Sequence, residues 1–237
     1  MVLSNNTLNT GKYSMQIIDV SMPISNNTHS YRPSWKNDIS EIMSTSNGDP
    51  STVYRLNLCS HTGTYIETSQ HKLANNIVLD NFPLDRFYCE VNIVKVEANK
   101  SNEITLMNFL NYLENNQMLL DESSSLIIFC GWGKSNFGST NFITKAPYFS
   151  KELTEHLANL KLRLLAVDTP VIDKQEAPYD AVKLLFEENN DLLLLAPLYI
   201  DETKLLGKKY ILNCMPLKIE NISATLCRPV LIGNEFL

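Results

Sequence analysis

The chain is poor in several features that would announce a function class. Its 237 residues contain no apolar stretch approaching the ~18 residues that span a bilayer. The first fifteen residues, MVLSNNTLNTGKYSM, are polar and hold no apolar signal core. No long basic run exists and the formal net charge is −6, which argues against nucleic acid or an anionic membrane as partner. The five cysteines are scattered and odd in number, and no C-x-x-C pair is present. That argues against a zinc knuckle and a disulfide framework, and a reducing cytoplasm is the simplest setting. No internal repeat or linker breaks the chain. The Gly-Lys-Ser at 133–135 has no upstream glycine at Walker spacing, so it is not a phosphate loop. In an Asn-rich chain, scattered Asn-x-Ser/Thr matches such as Asn221-Ile222-Ser223 carry little meaning.

What is there suits an ordinary folded domain: 44% apolar and 19% charged residues, enough to build a substantial core. Residues 1–15 read as a flexible arm and 16–237 as one domain. Tyr54, Leu56 and Leu58 alternate with polar neighbours, which predicts a half-buried strand. Leu126 to Phe129, Leu164 to Val167 and Leu192 to Leu195 are continuous apolar runs, which suit strands covered on both faces. Tyr210 to Cys214 and Pro229 to Ile232 are further strand candidates. Leu106, Phe109, Leu110 and Leu113 fall at helical spacing. Leu153, His156, Leu157 and Leu160 repeat it after Ser150, a predicted N-cap. A third helix is expected from about Asp180 to Glu187. Strands mixed with helices predict an α/β domain.

The densest polar cluster runs from Ser60 to His71, directly after the first strand. His61, Glu67 and His71 lie there with Thr64 and Tyr65, and imidazoles and carboxylates are the groups used for metal ligation and for proton transfer near neutral pH. A plain polar loop is the alternative reading. Cys130-Gly131-Trp132-Gly133-Lys134 follows a predicted strand, as crevice-lining turns do in α/β folds; a turn with a packed Trp is the alternative. Asp168 and Asp173 follow another strand and are suited to capping helices or orienting site groups. Tyr31-Arg32-Pro33-Ser34-Trp35 is an aromatic wall for a pocket or a packed loop. His156, on an apolar stripe, reads as a core histidine, and His29 has no evident role.

In this order the segments Ile18-Asp19-Val20-Ser21, His61-x-Gly63-Thr64, Gly131-Trp132-Gly133-Lys134, Asp168-Thr169-Pro170-x-x-Asp173 and Met215-Pro216-Leu217-Lys218-Ile219 resemble the cyclase family of bacterial kynurenine formamidases and isatin hydrolases. The resemblance spans roughly residues 16–232. It implies a swivelling β/β/α fold, a mixed sheet with flanking helices, and a homodimer or homotetramer. In typical members it also implies one or two divalent metals, zinc or manganese, in a site that hydrolyses a small amide or lactam.

The family signature H-x-G-T-H-x-D-x-P-x-H reads here His61-x-Gly63-Thr64-Tyr65-x-Glu67-x-Ser69-x-His71. Tyr65 stands where the family has a second metal histidine, and Glu67 where it has the metal aspartate. Downstream, Ala181 and Ala196 occupy the remaining ligand positions. The expectation is therefore no cofactor, with zinc or manganese second; if a metal binds, its ligands are His61, Glu67 and His71. Catalysis is assigned to His61, Tyr65, Glu67 and His71, and substrate contact to Trp35, Thr64 and Trp132. The chain is read as a small-molecule enzyme using metal-independent acid–base chemistry: cyclisation, dehydration or ring-opening hydrolysis. The alternative is a non-catalytic binding protein or partner subunit descended from a metal-dependent amidohydrolase.

Overall fold

The computed structural model describes residues 6–9, 14–174, 179–205 and 209–233. Among these residues ten strands form one sheet. Its order is Asn6–Asn9, Ser14–Asp19, Val230–Gly233, Tyr210–Asn213, Tyr88–Lys95, Ser125–Phe129, Leu164–Val167, Leu193–Ala196, Tyr65–Glu67 and Ala224–Leu226. The four strands from Tyr88–Lys95 to Leu193–Ala196 run parallel, and the strands on both flanks are antiparallel. Among the described residues four α-helices accompany the sheet: α1 (Leu106–Asn115), α2 (Trp132–Asn136), α3 (Lys151–Asn159) and α4 (Ala181–Glu188). This is a mixed, curled α/β sheet. Among the described residues no helix is long and apolar enough to cross a membrane.

The continuous apolar runs are explained by two cores, one on each side of the parallel strands. Leu126, Ile128, Leu165, Val167 and Leu194 face Phe109, Leu153, Leu157, Leu185 and Phe186 of α1, α3 and α4. Their neighbours Ile127, Phe129, Leu164, Ala166, Leu193 and Leu195 face the other way. That second core also holds Ile66 from one flank of the sheet and Ile18, Leu212 and Leu231 from the other. Both flanks therefore curl over the same face. A central strand covered on both faces has no polar alternation to keep. Each large side chain buried in these layers contributes roughly 1.5–3 kcal/mol.

Three local readings are corrected. Val53–Asn57 is a strand, but it pairs with Asp38–Met43 in a separate two-stranded sheet, and Tyr54 and Leu56 are 55% and 63% exposed. Its alternation reports the pleat, not a buried face. Asn6–Asn9, inside the segment read as a loose arm, pairs antiparallel with Ser14–Asp19. Ladder bonds come from the backbone, so a polar edge strand needs no apolar side chains. Gly131 to Lys134 is not a plain turn. Gly131 takes φ +83° and α2 begins at Trp132.

Candidate active site

Tyr65–Glu67 is a three-residue strand held between Leu193–Ala196 and Ala224–Leu226. Side chains alternate along a strand. Ile66 therefore enters the second core, while Tyr65 and Glu67 line a cavity of about 260 Å³ on the other side. Gly63, two residues before the strand, sits at φ +63°. The short 3₁₀ turn Ser69–His71, closed by His71 N–H donating to Thr68 O at 3.0 Å, swings His71 back toward Glu67.

One carboxylate oxygen organises the cluster. Glu67 Oε2 lies 3.0 Å from His61 Nε2 and 3.7 Å from His71 Nδ1, although the Glu67 side chain is only 3% exposed. His61 Nδ1 lies 2.9 Å from Ser60 Oγ. The His61 ring centroid is 4.5 Å from those of His71 and Tyr65, and 6.4 Å from that of Trp35. Burial lowers the basicity of His71, offset in part by Glu67, which favours a neutral imidazole. Burial pushes the pKa values of Tyr31 and Tyr65 up and weakens both as acids, so both phenols keep their protons. Tyr31 donates its proton to Pro170 O at 2.7 Å. A hydroxyl has one proton, so the 3.2 Å contact between the two phenols is donated by Tyr65.

The structure sorts the site residues named from sequence. His61, Tyr65, Glu67, His71 and Trp35 all line the cavity. Thr64 and Trp132 are not among its lining residues. Thr64 is 1% exposed, accepts from Met22 N–H at 2.8 Å and donates to Pro197 O at 2.6 Å. These two bonds commit its hydroxyl to the backbone on either side and leave it off the cavity wall. Trp132 donates its indole N–H to Phe142 O, which ties α2 to the following loop. Asp168 takes backbone N–H groups of Cys130 and Gly133, and Asp173 caps α4 through Ala181 N–H at 2.5 Å while also lining the cavity. Lys72 also lines it, paired with Asp180 at 2.7 Å. Sequence reading missed Lys72, since a single lysine beyond a histidine carries no pattern.

His61, Glu67 and His71 each offer a ligand atom, and the three atoms lie within 4.8 Å of one another. Two imidazoles and one carboxylate are a donor set that fits one divalent ion with an open position. No second such cluster occurs among the described residues. Ala196 presents only a methyl group to the cavity and Ala181 is buried at the start of α4, so a second ion has no ligands at those positions.

Residues 18–174 match the family described as "Putative cyclase". The chain belongs to this cyclase family. A curated relative, kynurenine formamidase of Erythrobacter litoralis, is 25% identical over 185 residues, 78% of each chain. Isatin hydrolase A from Labrenzia aggregata, solved with benzyl benzoate, superimposes with a TM-score of 0.78 at 17% identity, covering 93% of this chain and 94% of that one. An isatin hydrolase bound to the product analogue thioisatinate gives 0.77 at 19% identity over 93% of each chain. These neighbours share the fold. Cyclase-family membership and the kynurenine formamidase relative together support a small-molecule hydrolase or cyclase.

Proposed function

We propose that this cyclase-family chain is an enzyme that cyclises, dehydrates or hydrolytically opens a small aromatic or cyclic metabolite by acid–base chemistry that requires no metal. One observation carries the reading. A buried carboxylate contacts two imidazoles at the wall of a cavity of about 260 Å³. His71, held neutral by burial, is the base. Glu67 orients His61 and His71 and balances the imidazolium formed when either takes a proton. Tyr65 keeps its proton and donates it to a substrate oxygen by rotating its O–H away from Tyr31. Positioned proton transfer of this kind contributes ~10²–10⁴-fold, enough for an activated substrate.

A second reading is favoured by the convergence of His61, Glu67 and His71. A single divalent ion bound there would polarise a substrate carbonyl and acidify a water. Chelation separates the two. Turnover of isatin and of aryl formamides is measured before and after dialysis against a chelator. Turnover that persists supports the metal-independent reading; loss with recovery on adding zinc or manganese establishes the single-ion version. In either version Glu67→Gln lowers turnover by about 10²-fold or more with the fold intact. Saturable binding without turnover of any probe would leave a binding protein.

A further inference from the structure

We propose that Arg32 selects carboxylate-bearing substrates for this cavity and fixes the end by which they enter. The proposal rests on the cavity being the substrate site. Arg32 to Trp35 is a turn closed by Trp35 N–H donating to Arg32 O at 2.9 Å, with Pro33 at its second position. The turn brings the two side chains together, and the Arg32 guanidinium lies 5.1 Å from the centre of the Trp35 ring. Both side chains line the cavity. Arg86, Arg163 and Arg228 each pair with an aspartate. Among the described residues no carboxylate pairs with Arg32.

The other charges on the cavity wall are already engaged. Lys72 is paired with Asp180, Glu67 faces His61 and His71, and Asp173 accepts from Ala181 N–H and Val182 N–H. Among the described residues of the cavity wall, the remaining charge without a counter-ion is the guanidinium, on an exposed residue at the cavity edge. Stacking on Trp35 limits its motion, so less freedom is lost when an anion binds. Its planar fork matches a carboxylate through two parallel hydrogen bonds. Glu67 and Asp173 repel an anion from the interior. A substrate carboxylate therefore stays at the edge on Arg32, and the opposite end of the molecule reaches His61 and His71.

Benzoate and benzamide test this, being planar, nearly equal in shape and different in charge. Affinities are measured by ligand titration, with the ring-proton NMR signals of His61 and His71 reporting whether the probe occupies the cavity. The wild-type chain is expected to bind benzoate about tenfold tighter than benzamide or more. Arg32→Met keeps the stem and removes the charge, and it should bring benzoate down to the benzamide affinity while leaving benzamide unchanged. Arg32→Lys should restore part of the preference. If both probes shift the histidine signals but benzoate holds no advantage, or Arg32→Met keeps it, Arg32 is not the selector and the cavity reading stands. If neither probe shifts those signals, the proposal falls together with the cavity as substrate site.

Discussion

At the scale of single residues, Gly63 shows how closely the site depends on its approach. It sits between His61 and Tyr65 at φ +63°, and a Cβ placed there would lie 2.5 Å from Ile24 Cγ1. Gly138 has a similar φ of +79° with nothing within 4 Å of its added Cβ. Both alanine substitutions carry the left-handed backbone cost of roughly 1–3 kcal/mol. Gly63→Ala adds a steric clash that displaces the His61 segment. We expect Gly138→Ala to lose only the conformational component and to keep its activity. Gly63→Ala should be more destabilised in denaturant unfolding and lose turnover. Equal destabilisation with unchanged activity would mean that Ile24 moves aside and the turn does not set His61. The site was partly legible at this scale. His61, Glu67 and His71 announce themselves by type and spacing, whereas the direction in which Thr64 points depends on a three-residue strand too short to show a pattern.

At the scale of elements, the helices were legible because amphipathic spacing and caps act locally. Ser150 accepts from Leu153 N–H at 3.2 Å, as an N-cap should, and α4 starts after Asp180, which accepts from Lys183 N–H at 2.8 Å. The strand Val53–Asn57 was legible as a strand but not as exposed, because alternation records the pleat and says nothing of what covers it. His156 on α3 lies edge-on to Phe109 with ring centroids 5.9 Å apart. Burial lowers its basicity below the ordinary histidine value of 6.5. The unfolded chain then binds the proton more readily than the native one. Stability is fully present above pH 6.5 and is lost as the pH falls through 6.5 toward the lowered value. His156→Leu removes this titration. The difference in melting temperature between the variant and the wild-type chain should grow as the pH drops from about 7.5 to about 5. A difference independent of pH would show that His156 protonates as easily in the native state as in the unfolded one.

At the scale of the whole molecule, the site is assembled from segments far apart in sequence, and Thr64 is the residue that joins them. Its hydroxyl accepts from Met22 N–H and donates to Pro197 O, and its carbonyl accepts from Cys227 N–H at 3.1 Å. One residue thus links the entry segment, the end of the last parallel strand and the C-terminal flank. These are the parts that curl together over one face of the sheet. Long-range closure of this kind leaves no periodicity in the sequence, which is why Thr64 read as a substrate contact. Thr64→Val keeps the shape and strands a buried donor and acceptor, at roughly 1–3 kcal/mol for each unsatisfied group. In a chain of this size each 1 kcal/mol lowers the melting temperature by about 2–4 °C. Thr64→Ser keeps the hydroxyl and gives up only a methyl, so it should restore most of that loss. Turnover separates the structural role from a catalytic one. Below its melting temperature Thr64→Val should keep far more activity than Glu67→Gln, because no reacting group has been removed. If Thr64→Val loses turnover as completely as Glu67→Gln at unchanged stability, the hydroxyl touches substrate and the joint lies elsewhere.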